Sequence, residues 1–298
     1  TFRDKLAMRE RARAAGILVP DFVHVLNYDR LRDFMARTPA PWVLKPRSDV
    51  SAIGIRKLHE SEQVWRTIDL LDAREALSER SPAHLLERYV AGEVFHVDSL
   101  VEGGDVTFAA VSRYGRPPMD VAHQGGVFVS STLEYDTEER AQLTDLNRRL
   151  LAALGLEHGA SHAEFIRSAE TGEFYFLEVA ARVGGAYIAE TVEAATGVNL
   201  WREWARVELA GGTRPEAERP QARQGYGGIV LSLARDEWPD TSGFDDPEIV
   251  YRVCKPYHAG LVVGASSLAR VEELLEDYAA RFASDFCAVA APPERPPL

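Results

Sequence analysis

Apolar and polar residues alternate with period two on both sides of a polar turn, Glu170–Thr171–Gly172, within SHAEFIRSAETGEFYFLEVAARVGG, residues 161–185. The pattern predicts a β-hairpin. Similar short runs predict strands over 41–46, 52–58, 83–90, 93–101 and 105–114, and again over 226–234, 249–253 and 260–266. Helical periodicity marks 1–15, with Phe2, Leu6, Met8 and Ala12 on its apolar face and Gly16 as its stop. Further helices are predicted over 61–77 with Ser61 as N-cap, 137–154, 186–195, 200–209 with Asn199 as N-cap, and 268–282. Between 115 and 131 the pattern dissolves into GRPPMDVAHQGGVFVSS, which reads as a long loop of the kind that serves as a lid, with His123 as a substrate-contact candidate. GGTRPEAERPQARQ, residues 211–224, reads as a linker and the best boundary in the chain. The tally predicts an α+β fold with mainly antiparallel sheets and no doubly wound βαβ series.

With the hairpin turn centred on Thr171, Glu164 and Glu178 face each other across the ladder. Like charges so placed repel by roughly 3 kcal/mol at about 5 Å and an effective dielectric near 20. Such a pair persists when one carboxyl is protonated or a cation lies between them, and two carboxylates plus phosphate oxygens suit Mg²⁺. The alternative is a hairpin with slipped register and an exposed acidic face. Arg182 and Gly184–Gly185 follow at once, a bidentate oxyanion clamp and a backbone open to close approach. Lys45 ends the apolar strand PWVLKP, unusual for a residue that avoids the interior unless paired. The small-residue loop after it can wrap phosphate with backbone N–H groups, or can be a plain hairpin connection. The break at Ala91–Gly92 leaves backbone groups able to bond a planar heterocycle, or is an ordinary tight connection.

Composition narrows the classes. In 298 residues, 46% hydrophobic and 27% charged, there is no long apolar run and no signal-peptide pattern, so a membrane-spanning role is not expected. A net charge of −12 argues against a nucleic-acid or membrane surface. Cys254 and Cys287 make no disulfide framework or metal spacing, and a reducing cytoplasm is the expected compartment.

Five motifs in order carry a resemblance to the ATP-grasp superfamily: DK-x₂-MR leading to AGI-x-VP, VLKP, LLERYV-x-GE, HAEFI and FLEVAARVGGAYI. The resemblance covers nearly the whole chain, from Asp4–Lys5 to about Phe286. It implies two subdomains clamping a nucleotide, divided here as an opening helix and start of the core (1–40), a small lid-type subdomain (41–90), a large subdomain with the metal hairpin (91–210), the linker, and a β-rich subdomain (225–290). Many members begin with a further domain of ~100 residues; this chain starts at the helix after it and is expected to be a piece of a longer protein.

The resemblance implies that Lys5 and Lys45 contact nucleotide phosphates and that residues 48–54, Ser51 and Gly54 among them, form the flap over the triphosphate. It implies that Glu87 and the Val90 backbone bond the adenine edge, that Glu93 holds the ribose, and that Glu164 and Glu178 bind Mg²⁺, with Mn²⁺ as a substitute. Arg182 is implied beside the transferred phosphoryl group and acyl substrate. Many members carry asparagine where this chain has Ala180, which cannot coordinate a second metal. The implied activity is ADP-forming carboxylate–amine (or thiol) ligation through an acylphosphate, on small-molecule substrates of the amino-acid or peptide type; a homodimer is the candidate assembly. A biotin-carboxylase-like reaction and a non-catalytic nucleotide-binding module are the rival readings.

Overall fold

Asp4 opens the first helix: its carboxylate accepts from the N–H groups of Leu6 and Ala7, satisfying two of the donors that a helix start leaves unpaired. A computed structural model describes residues 2–48, 54–75 and 84–289 of the chain. Helix α1 spans Lys5–Ala14, followed by strand β1 (Phe22–His24), helix α2 (Tyr28–Arg37), β2 (Trp42–Pro46), β3 (Arg56–Leu58), α3 (Ser61–Glu75) and β4 (His84–Arg88). The four strands form one antiparallel sheet in the order β1-β4-β2-β3. Leu31 and Phe34 of α2 and Val64 and Ile68 of α3 pack with Trp42, Leu44, Leu58 and Leu86 as its core.

The remainder builds a larger sheet. Its strands are β5 (Gly92–Glu102), β6 (Asp105–Tyr114), β7 (Phe128–Thr132), β8 (Gly159–Ser168), β9 (Phe174–Ala180), β10 (Tyr226–Leu233), β11 (Ile249–Arg252) and β12 (His258–Ala265). They pair antiparallel in the order β11-β12-β10-β7-β6-β5-β8-β9. Helices α4 (Pro118–Gln124), α5 (Glu138–Leu154), α6 (Ile188–Thr196), α7 (Leu200–Leu209) and α8 (Leu268–Asp285) connect and cover them. Phe95, Val97, Phe165 and Phe176 form one core with Met8 and Ala12 of α1 and Leu143, Leu150 and Leu151 of α5. Val94, Leu100 and Ile166 form another on the opposite face with Ile188 and Val192 of α6 and Leu200 of α7.

The expected α+β architecture is therefore present, and four local readings change. Residues 28–37, not anticipated as regular structure, form α2, whose buried residues are only Leu31 and Phe34, too few to print a period. The stretch 115–131 is no open loop, because it holds α4 and nearly all of β7, an interior strand of the large sheet. Ser61 begins α3 instead of capping it, since the first helical bond, from Val64 N–H, goes to the Glu60 carbonyl. The linker over 211–224 holds buried Arg214, whose guanidinium bonds Glu102 at 2.8 and 3.2 Å and Glu203 at 2.7 Å. Immediately beyond it β10 inserts between β7 and β12, so β10, β12 and β11 continue the large sheet.

Candidate active site

The hairpin is β8 and β9, and Glu164 stands directly opposite Glu178. A bulge follows at once, with Phe165 paired to Phe176, and it places Leu177 beyond the simple alternation. Both carboxylates lie on the face of α6 and α7. Tyr114 from β6 donates its hydroxyl to Glu164 Oε1 at 2.9 Å, and Lys5 Nζ reaches Glu178 Oε2 at 3.5 Å. Two oxygen ligands side by side on a rigid ladder, near a lysine, are a donor set that fits Mg²⁺ or Mn²⁺. Burial opposes ionisation of Glu164, but hydrogen bonds from His162 and Tyr114 hold its carboxyl below the usual value.

Lys45 is 6% exposed at the end of β2, and its ammonium contacts the Glu87 carboxylate. Glu87, expected at the adenine edge, is itself 2% exposed and takes two bonds from Arg9, at 2.6 Å from Nε and 3.2 Å from Nη2. Its carboxylate thus sits between two cations and does not face an open heterocycle slot. Burial drives the Lys45 pKa down against the pull of Glu87, whereas Arg9 and Lys45 overcome the burial of Glu87 and hold its pKa low. Arg9 is fully buried with its guanidinium 5.2 Å from the Phe176 ring centre. It was visible in the MR pair of the first motif, but nothing local tied it to a carboxylate 78 residues away.

Behind Glu164 runs a buried polar chain that sequence reasoning missed. His162 Nδ1 lies 2.9 Å from Asp98 Oδ1, His96 Nδ1 lies 2.6 Å from Asp98 Oδ2, and His96 Nε2 lies 2.8 Å from Ser130 Oγ. His162 Nε2 closes on the Tyr114 hydroxyl at 3.3 Å and on Glu164 Oε1 at 3.5 Å. Burial works against both ions, yet the two imidazoles hold Asp98 well below the carboxylate range, and Asp98 with Glu164 lifts His162 to about 10. Burial and the Glu164 charge push the Tyr114 phenol well up, which keeps it a donor. Ligand atoms of His96, Asp98 and His162 lie within 4.8 Å of one another, a spacing that a cation can also use; here hydrogen bonds between rings and carboxylate account for it. The available signal was His-x-Asp on alternate positions of a strand rich in apolar residues.

The other expected residues divide. Gly54 has φ +74°, and a Cβ added there would lie 3.4 Å from Pro46, the residue after Lys45; the rest of the expected flap over 49–53, Ser51 included, lies outside the described residues. Val90 is buried between two backbone bonds, Tyr89 N–H to Pro41 and Ala169 N–H to Ala91. Glu93 is not brought to the carboxylate face. It pairs with Arg113 at 3.4 Å and with Arg167, which also binds Glu139 of α5, because an odd number of strand positions separates it from His96. Arg182 is exposed and donates to the Val183 carbonyl at 2.8 Å. Ala180 stands opposite His162. Gly184 presses on the buried chain, where an added Cβ would lie 2.8 Å from Asp98 Oδ1 and 3.0 Å from His162 Nδ1. Ala186 and Tyr187, next in the same loop, both hold left-handed φ values, 52° and 60°.

The ATP-grasp domain model matches residues 38–190. An L-arginine-specific L-amino acid ligase of Bacillus subtilis is 23% identical over 257 residues, 84% of this chain and 61% of the relative, so the chain spans about three fifths of that protein's length. Among solved structures, an L-amino acid ligase from Bacillus licheniformis superposes with TM-score 0.71 at 17% identity, over 97% of this chain and 72% of the other. The biotin carboxylase domain of Hydrogenobacter thermophilus 2-oxoglutarate carboxylase, in complex with MgADP and bicarbonate, gives 0.70 at 17% identity, over 93% and 65%. With the carboxylate hairpin, the strand lysine and the two-sheet fold already in place, this chain belongs to the ATP-grasp family.

Proposed function

We propose that the chain carries the nucleotide site of an ADP-forming ligase that joins a small carboxylate to an amine, of the amino-acid or peptide class. The observation that carries this reading is the direct opposition of Glu164 and Glu178, with Lys5 on one of them and Lys45 close enough to feel the Glu178 charge. The relative named as an amino acid ligase supports the substrate class.

Glu164 and Glu178 would hold Mg²⁺, which when bound supplies charge neutralisation on the nucleotide phosphates. Lys45 and Lys5 bind phosphate oxygens, and Lys45 leaves Glu87 to do so. Arg182, bound to the neighbouring Val183 carbonyl among the contacts described, would orient a carboxylate or the migrating phosphoryl group. The substrate carboxylate oxygen attacks the γ-phosphorus as the bridging P–O bond to ADP breaks. The amine nitrogen then attacks the acyl carbon, inorganic phosphate leaves, and the nitrogen releases its proton to water. The residues position and exclude water; they form no covalent intermediate.

The test is ADP release from ATP and Mg²⁺ with a panel of amino acids and bicarbonate. Amine-stimulated release is expected, and Glu178→Gln abolishes it while the protein stays folded, because the cross-strand repulsion is relieved. Stimulation by bicarbonate alone supports the carboxylase reading, and normal turnover by Glu178→Gln refutes the metal site.

A further inference from the structure

We propose that Tyr114 and His162 are positioning residues for Glu164, with His162 fixed from behind by the chain Asp98–His96–Ser130. The proposal rests on the reading of Glu164 as a metal ligand and concerns what aims that ligand. Both donors converge on one oxygen: the Tyr114 hydroxyl at 2.9 Å and His162 Nε2 at 3.5 Å, each from Oε1. That oxygen is thereby held in place, leaving Oε2 as the one to face a cation.

The parts behind it are rigid. Ser130, Tyr114, the His96–Asp98 pair and His162 come from β7, β6, β5 and β8, which are successive neighbours in the sheet. Ser130, His96 and Asp98 are at most 1% exposed. Ring contacts fix the planes as well, with His96 4.6 Å from Tyr114 and 5.2 Å from His162, centre to centre. Gly184, in the loop that follows the hairpin, closes over the Asp98–His162 bond and leaves no room for either group to swing. Burying a carboxylate and two imidazoles is costly unless each is bonded. A core that needed only register could use apolar residues here, as β5 does on its other face with Phe95 and Val97. An outer shell of this kind orients a ligand and raises its basicity, and losing it weakens metal binding by about 10- to 100-fold.

The experiment titrates Mn²⁺ into the full chain with saturating ADP, by electron paramagnetic resonance, and measures ADP affinity separately without metal. Tyr114→Phe and His162→Gln are compared with wild type, Tyr114→Phe being the variant that removes one oxygen and keeps the packing. The expected result is Mn²⁺ binding about 10- to 100-fold weaker in both, with metal-free ADP affinity unchanged. Unchanged Mn²⁺ binding alongside lowered thermal stability overturns the proposal and leaves the chain a folding element. If wild type holds no Mn²⁺, or Glu178→Gln leaves its binding intact, the metal reading falls and the proposal with it.

Discussion

Glu87→Gln is the substitution whose cost the structure defines best. Glu87 is 2% exposed and holds Arg9, at 0%, together with Lys45, at 6%. Removing one partner of a buried ion pair costs about 3–5 kcal/mol, because the remaining charge loses its compensation without regaining water. Arg9 cannot escape by losing its proton. Lys45 can, since burial already holds its pKa down and the variant removes the Glu87 pull that opposes it, so the lasting cost falls on Arg9. Glutamine supplies one acceptor oxygen where two were used and turns an amide N–H₂ toward a cation. The expected loss is about 4 kcal/mol, a melting temperature lower by roughly 8–16 °C at the usual 2–4 °C per kcal/mol for large domains. Glu93→Gln is the internal control. Its carboxylate is half exposed and pairs with Arg113 and Arg167 at the surface, where such bridges contribute about 0–1 kcal/mol. Scanning calorimetry of the two variants side by side is the assay. Pairing Glu87→Gln with Lys45→Met should recover part of the loss, since an apolar chain there no longer needs a counter-charge. A Glu87→Gln protein melting within about 2 °C of wild type, or a Glu93→Gln protein falling as far, refutes the reasoning.

Gly184→Ala should cost about 1–3 kcal/mol in urea unfolding, because its Cβ would lie 2.8 Å from Asp98 Oδ1 and 3.1 Å from Ile188 Cγ2; an unchanged midpoint contradicts the close packing. Arg214→Met leaves Glu102 and Glu203 buried without their shared cation and should cost about 3–5 kcal/mol; a neutral effect would restore 211–224 to a loose linker. His162 titrates at about 10 in the fold against ~6.5 unfolded, so its stabilisation is complete below pH ~6.5 and lost as pH rises through about 10. Asp98, held low, contributes above the ordinary carboxylate value and loses that contribution as pH falls below it. Wild-type stability should therefore decline between pH ~6.5 and ~10 more steeply than that of His162→Gln, and parallel profiles would rule out a charged His162.

What the sequence displayed was local parity. Counting seven positions either side of Thr171 opposed Glu164 and Glu178, but the turn itself sets Arg167 against Phe174, and only the bulge at Leu177 brings the two carboxylates opposite each other. The same arithmetic, applied from His96, would have sent Glu93 to the far face, but a motif resemblance assigns roles without counting faces. Lys45 announced itself as a charge on a buried strand, yet its partner could not be read, because Arg9, Lys45 and Glu87 meet only after three separate segments assemble. β7 was hidden for a related reason: Pro117–Pro118 and Gly125–Gly126 mark turns on one side of it, and its five residues gain strand character only between β6 and β10.

Helix α1 has a mechanical consequence. Met8 and Ala12 anchor it in the core of the large sheet, while Arg9, one residue from Met8, clasps Glu87 of the small sheet, and the Lys5 N–H bonds the Arg47 carbonyl just past β2. The ten-residue helix is thus one tie between the two sheets, beside the contacts of Arg88 with Glu170 and Tyr175. Sheets tied in this way shift more readily by rotating about the tie than by separating, so any travel would be smallest beside Lys5 and Lys45. On the proposed function, two lysines that bind phosphate would keep their mutual spacing there, while parts of the small sheet farther from the helix would carry any movement.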